Sequence, residues 1–521
     1  MYVTETDVAV LGAGLAGALM AKSLAEKGWR TLLVDRHRFP RHKVCGEFLS
    51  PEVRQTLAAA DLLDRVTALH PARVERARLI SADGGYVDIP LPGTAMGLSR
   101  FRLDEALHEA AAAAGARVLT SAAVLSVTRL ADESCEVRVK RETGMELIRA
   151  RTVIAAWGAN GHALVTDACG SGDYGGGRFS EGMGNLQGPL GVSILTNAET
   201  ERQLDSFMPL NVLNPADWKN QASSSSPVNR VTQQVTQVNP TDLTNSTSST
   251  NHANHANHAN HANQTNQTNQ TNPTNLANRK IPTYPTSPTG KQARTAKAEG
   301  TRRTLNPWKR SAPDYMGVKS HYSGIEMEPL VELYLFPGGY LGLCPIEDGL
   351  VNVSALLSRD AFRGAGKSVL ALLEAAALRC PPLHSKLKRG LPVPGAQAAV
   401  APVKLDRRLN PWDMLPHLGD SSVMIPPLCG DGMSMALRSA RLCAPLADDY
   451  LRGKLSLAGW EEQYVRAVKR TFRRPLRWGR LLQSSLGSPA AVRLLLRLAQ
   501  LSPGMASGLL EATRLKPERE S

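Results

Sequence analysis

The sequence predicts an α/β fold: a parallel sheet with an inserted antiparallel sheet, a long unfolded insertion and a helical C-terminus. Three observations predict it. Apolar runs of strand length alternate with helical stretches over the first 160 residues and again after residue 307. Between them, residues 196–306 lose their apolar character to Asn, Thr, Ser, Gln and Pro. And a glycine-rich turn opens a helix twice, first near residue 12 and again near residue 430.

The elements follow in order. "DVAVLGA" is an apolar strand, "LAGALMAKSLAEKG" a helix ended by Gly28, and "RTLLVD" a second strand ending on Asp35. Gly12, Gly14 and Gly17 spell G-x-G-x-x-G between the strand and the helix, and Asp35 follows Gly12 by 23 residues. Gly12 suits the tight turn, Gly14 admits a pyrophosphate to the backbone, and Gly17 allows the helix close to the sheet. The helix start, at Leu15 and Ala16, offers oriented N–H groups and partial positive charge, and Asp35 can accept ribose hydroxyls. This is a dinucleotide-binding βαβ unit of Rossmann type. A helix over 102–116 and the strands "RVLTSAAVLSVTRL", "SCEVRVKR" and "TVIAAWG" complete this part.

Residues 162–195 are glycine-rich and irregular. "GSGDYG" at 170–175 repeats the glycine spacing, but no strand precedes it and no helix follows. Four Asn-His-Ala repeats (251–262) and three Asn-Gln-Thr repeats (263–271) have a period of three. That period fits neither helix nor strand and leaves little apolar surface to offset ordering entropy. His252, His255, His258 and His261 are therefore read as a repeat expansion, and no metal site is expected. After it, "YMGVKSHYSG", "LVELYLFPGGYLGLCPI" and "LVNVSALL" read as a second sheet, with helices over 367–379, 433–452 and 456–483. The domain reading is 1–161 nucleotide-binding, 162–306 unfolded insertion, 307–395 sheet and helix, 396–450 a return to the first domain, and 451–521 a basic helical segment.

Composition narrows the class. No apolar run is long enough to span a membrane, and the N-terminus lacks a basic region before its apolar strand, so the reading is cytoplasmic. The seven cysteines are scattered without a C-x-x-C, which fits reduced thiols rather than disulfides or zinc. The net charge is +14, and residues 451–521 carry 14 Lys and Arg against 5 Asp and Glu. "VRAVKRTFRRPLRWGRLLQ" (465–483) can serve as a peripheral contact with an anionic membrane or as a basic outer face. No nucleic-acid motif accompanies it, and no nucleic-acid partner is expected.

"GDSSVMIPPLCGDGMSM" decides between nucleotides. Its Gly419-Asp420, Pro426, Gly430 and Gly432-Met433 resemble the C-terminal flavin motif of FAD-dependent aromatic hydroxylases and geranylgeranyl reductase-like flavoproteins. The resemblance implies a GR2-like FAD-binding domain. Asp420 would bind near the ribityl chain and pyrophosphate, and the amides of Gly432 and Met433 would sit near the flavin pyrimidine edge. A helix N-terminus suits the negative charge of reduced flavin there. "RFRLDEAL" resembles the family's Arg-x-x-Leu-Asp helix start, which implies Arg100 close to FAD. "VIAAWGANG" resembles its strand-end motif, with Trp157 where Asp is usual and Gly158 after it. "HKVCGE" resembles the reductase-like branch and implies Lys43, Cys45, Gly46 and Glu47 near the cofactor, close to Asp35 and Arg36.

The chain also resembles flavoproteins found alongside type III polyketide synthases, over about 1–160 and 307–515. From that resemblance the expected activity is an NADPH- or NADH- and O2-using monooxygenase of an apolar aromatic or polyketide-like substrate. The nicotinamide would bind transiently as electron donor. The alternatives are a double-bond reductase of a prenyl lipid or quinone, and an FAD-binding protein without turnover. His321 and Tyr322, on a strand of the second sheet, are the candidate substrate residues. No catalytic residue is named, because in such proteins the cofactor carries the chemistry.

Overall fold

A computed structural model describes residues 2–161, 163–167, 314–485, 489–501, 504, 508 and 511–516. The Asn-His-Ala and Asn-Gln-Thr repeats, "GSGDYG" and the four repeat histidines lie outside the described residues. In chain order, β1 (Tyr2–Leu11), α1 (Leu15–Glu26) and β2 (Thr31–Val34) are followed by β3 (Ala72–Ser81) and β4 (Tyr86–Gly97). Next come α2 (Arg100–Ala113), β5 (Arg117–Leu119), β6 (Ala123–Arg129), β7 (Cys135–Arg141), β8 (Gly144–Ala155) and β9 (Leu164–Asp167). Then β10 (Tyr315–Ser323), β11 (Leu330–Phe336), β12 (Gly339–Pro345) and β13 (Val351–Ser358) lead to α3 (Val369–Ala377) and β14 (Ala398–Val403). The chain closes with α4 (Gly432–Leu451), α5 (Leu457–Ser485) and α6 (Pro489–Leu501).

Seven strands form the first sheet in the order β9-β6-β7-β8-β1-β2-β5. β1 pairs in parallel with both β2 and β8, so its residues are covered on both faces. Val8 and Val10 pack with α1 and α4, while Ala9 and Leu11 join the core of the antiparallel β6-β7-β8 layer. This two-sided burial is why the strand reads as an unbroken apolar run rather than an alternating one.

The second sheet has nine strands. Its long members run β10-β13-β12-β11-β3-β4, with β14 also paired to β10. Strand alternation sorts its side chains. Met316, Val318, Tyr322, Leu341, Leu343, Val351 and Val353 pack with α3 and with the helix Pro381–Leu387. Leu335, Tyr340, Leu356 and Ile89 point the other way, toward α6.

Two differences from the sequence reading concern this sheet. β3 and β4 lie before residue 161, yet β3 pairs in parallel with β11, so the sheet begins well inside the segment read as nucleotide-binding. β14 lies after residue 395, yet pairs with β10. Domain boundaries drawn at single chain positions cannot show such exchange, because pairing between distant strands leaves no local signal. The helices are close to expectation: α3, α4 and α5 fall within two residues of 367–379, 433–452 and 456–483 at each end.

Candidate active site

The first glycine turn sits where β1, α1 and the end of β8 meet. Gly12 adopts φ +109°, and a Cβ there would overlap the carbonyl of Ala156. A Cβ on Gly17 would overlap the carbonyl of Gly12, so α1 can start this close to the sheet only with glycine at that position. Gly17 therefore shapes the turn without lining the space beyond it. Gly14 faces that space: its absent side chain leaves Arg100 Nη2 and Lys43 Nζ at 3.8 and 4.0 Å from where a Cβ would stand. No side chain caps α1, so its first-turn amides are left to whatever lies in front of them.

A groove of about 330 Å³ runs from this turn along the ends of β1 and β2. Gly12, Gly14, Asp35, Arg36, Lys43 and Gly158 line it, with Trp157 and Asp420. Asp35 accepts hydrogen bonds from Ala13 N (2.8 Å) and from His37 N (2.8 Å), and its carboxylate meets the His37 ring at 3.0 Å. Burial pushes its carboxyl pKa up, but the His37 and Ala13 hydrogen bonds outweigh this and bring it down to about 2. Asp35 is thus a fixed anion with acceptor capacity facing the groove. Trp157 stands edge-on to His417, with ring centroids 5.7 Å apart.

The groove continues into a chamber of about 180 Å³, where the second glycine turn meets the first. Leu15 and Ala16 of α1, Cys45, Gly46, Arg100, Gly419, Asp420, Gly430, Gly432 and Met433 all line it. α4, like α1, has no side-chain cap. Two helix N-termini thus open onto one elongated space, as a ligand with negative charge at two separated points requires. Pro426 does not line it; the proline packs against Gly479 of α5 and shapes the turn.

Arg100 is held by Asp104 through two hydrogen bonds of 2.7 and 2.8 Å, and Cys45 lies near its guanidinium. At the chamber wall lies a fully buried ionic cluster. Glu47 accepts from Lys319 Nζ (2.6 Å) and from the Arg100 backbone N–H (2.9 Å), and meets His321 Nε2 at 2.6 Å. Glu47 has φ +55°, in the left-handed region that a glutamate adopts only when its surroundings compel it. Burial pushes its pKa up, yet the hydrogen bond to His321 and the charge of Lys319 hold it below the usual value, so it stays ionised.

Lys319 escaped the sequence reading. The available signal was a lysine and a histidine two apart on an otherwise apolar strand, which puts both on one face and demands a buried anion. The same alternation separates His321 from Tyr322. His321 turns toward Glu47, whereas Tyr322 packs on the opposite face with α3, and neither lines the groove or the chamber. Adjacent strand residues cannot share one face, which corrects the pairing of the two as substrate contacts.

A third cavity, of about 250 Å³, opens from the chamber past Cys45, Gly46 and Phe48. The outer face of the second sheet lines it through Ala77, Leu79, Leu333, Leu335, Gly342 and Leu356, and α5 and α6 close it with Leu482 and Ala499. The lining is almost entirely apolar. Tyr340 also lines it, and its buried hydroxyl has no hydrogen-bond partner among the described residues. That hydroxyl is a polar handle which sequence patterning did not single out.

The donor set fits FAD: Asp35 for the ribose, the α1 amides with Lys43 and Arg100 for the pyrophosphate, and the α4 amides for the ring. A model of the FAD binding domain matches residues 5–178. The chain carries an FAD-binding domain. Its fold is shared with a geranylgeranyl reductase-like protein and with an FAD-dependent monooxygenase-like protein. This flavoprotein is 35% identical over 133 residues to a menaquinone reductase of Mycolicibacterium smegmatis, covering 24% of this chain and 31% of that protein. It is 31% identical over 160 residues to a digeranylgeranylglycerophospholipid reductase of Methanocella arvoryzae, covering 30% and 40%. The chain thus matches about a third of the length of these relatives.

Among solved structures, a geranylgeranyl bacteriochlorophyll reductase-like protein of Thermoplasma acidophilum superposes with a TM-score of 0.58 at 16% identity, over 98% of this chain and 96% of that one. PqsL of Pseudomonas aeruginosa, in complex with 2-aminobenzoylacetate, gives 0.52 at 16%, over 94% and 98%. No helix among the described residues is long and apolar enough to cross a membrane.

Proposed function

We propose that this flavoprotein reduces carbon–carbon double bonds in a long apolar substrate, of prenyl-lipid or prenylquinone type, with NADPH or NADH as electron donor. The observation that carries this reading is the position of Cys45. Cys45 lines both the FAD chamber and the apolar cavity, at their junction. Reduced FAD, when bound, supplies a hydride equivalent. The chain's own part is to hold an apolar substrate across that junction, exclude water and supply the proton.

The Cys45 S–H would give its proton to one alkene carbon while the other receives the hydride, so the double bond becomes single. The thiolate left behind would sit near the Arg100 guanidinium until a proton returns. The two relatives described above are named menaquinone reductase and digeranylgeranylglycerophospholipid reductase, and the matched family domain contains the Lys-Val-Cys-Gly-Glu segment. This reverses the order of preference drawn from sequence.

The monooxygenase remains a second reading, acting on an aromatic or polyketide substrate. The apolar lining of the cavity supports it, since oxygen transfer also needs water excluded. The test is product mass. The full chain loaded with FAD is given NADPH and a panel of prenyl alcohols, prenylquinones and aromatic polyketides, under argon and in air. The expected product gains two hydrogen atoms and forms equally under argon. A product gaining one oxygen atom, only in air, replaces this reading with the second. Bound FAD with no product in either atmosphere means a binding protein without turnover.

A further inference from the structure

The helix that roofs the apolar cavity is apolar on two faces. One face of α6, through Val492, Leu496 and Ala499, packs on the sheet residues Val87, Ile89, Leu335, Tyr340 and Leu356. The other carries Leu494, Leu498 and Leu501, spaced i, i+4, i+7, and these are 58%, 41% and 82% exposed. Arg493 and Arg497 flank that stripe and are also exposed. α5 repeats the design: Trp478 and Leu481 are 38% and 55% exposed, with Arg473, Arg474 and Arg477 exposed beside them. Through Leu482 and Ala499 both helices reach the same cavity. An ordinary surface helix buries its apolar stripe and shows water its polar side. These two show water leucine, tryptophan and arginine together.

Two physical features choose the occupant. Leucine and tryptophan bordered by arginine suit an interface where acyl chains meet anionic headgroups. The charge is one-sided, since residues 451–521 hold 14 Lys and Arg against 5 Asp and Glu. A second copy of the same face would bring like charges together, and nothing on this face among the described residues offers a carboxylate array to meet them.

We propose that the exposed faces of α5 and α6 dock this flavoprotein on an anionic lipid surface. The helix that closes the apolar cavity then has lipid on one side and the cavity on the other. A substrate dissolved in the membrane reaches the cavity by passing beside α6, without crossing water. This goes beyond the proposed reaction and holds for any apolar substrate.

The test is cosedimentation of the full FAD-loaded chain with vesicles of phosphatidylglycerol and phosphatidylcholine, and with vesicles of phosphatidylcholine alone. The expected result is binding to the mixed vesicles, weakened by salt, and little to the neutral ones. The double variant Leu494→Asp with Leu498→Asp should bind at least about tenfold more weakly while keeping its bound flavin and its melting temperature. Leu391→Asp, which charges an exposed leucine elsewhere, should bind as the natural chain does. Three outcomes overturn the proposal: no binding by the natural chain, undiminished binding by the double variant, or a dimer in solution that the double variant disperses. Flavin content and soluble-substrate turnover are read on the same samples. Loss of vesicle binding with turnover intact therefore separates failure of docking from failure of the proposed reaction.

Discussion

The groove, with the chamber it runs into, and the apolar cavity that the chamber meets at Cys45 are built on opposite principles. The groove is made of backbone. Its floor is glycine, its donors are amides at the starts of α1 and α4, and its side chains are a few fixed charges. The cavity is made of side chains, drawn from β3, β4, β11, β12, β13, α5 and α6, with small residues such as Ala77 and Gly342 leaving the room. A space made of backbone tolerates almost no added atom. A space made of side chains can be refilled one residue at a time. Substitutions in the two regions should therefore fail in different ways.

Gly17→Val should do the most damage. The new side chain would collide with the Gly12 carbonyl, lifting α1 off the sheet. The chain should purify without flavin and lose more than about 3 kcal/mol in urea denaturation. Lys319→Met comes next. It leaves Glu47 charged and buried without its ammonium partner, at a cost of roughly 3–5 kcal/mol, and adding Glu47→Gln should recover part of that loss. Both changes act on the framework. Cys45→Ser acts on the junction alone: flavin content should stay normal while turnover falls by about a hundredfold or more.

Asp431 offers a pH-dependent contrast. It precedes α4 and is fully buried, 4.0 Å from Arg514. Burial raises its pKa from 3.8 to about 7, against the opposing charge of Arg514. A carboxyl raised in the folded state stabilises it fully only at low pH, and that contribution is lost as pH rises through about 7. Asp431→Asn should therefore raise the melting temperature at about pH 8 and matter little near about pH 4. Ala77→Phe should give the smallest effect. It partly fills the cavity, so the Michaelis constant for a long substrate should rise several-fold, with flavin content unchanged.

The two regions also differed in how far the sequence revealed them. Gly12, Gly14, Gly17 and Asp35 lie within one short βαβ unit, and Gly419 to Met433 within one turn, so fixed spacing exposes them. The fold class was legible for the same reason: runs of strand and helix length are local. The exchange of β3, β4 and β14 between regions was not, because strand partners far apart in the chain carry no shared local signal. Nor was the cavity, whose volume depends on which side chains of separate strands face each other. Glu47 was placed near the cofactor by its motif, but its partners Lys319 and His321 lie some 270 residues away. Only the register of β10 brings them to it.

The most direct measurement is anaerobic reoxidation of the flavin. The FAD-loaded chain is first reduced under argon and then mixed with long-chain prenyl alcohols, whose double bonds are their only reducible groups. Recovery of the oxidised flavin absorbance under argon, slowed by Cys45→Ser, is the predicted result. A flavin that stays reduced until air is admitted would mean that the junction at Cys45 does not join cofactor and substrate as described.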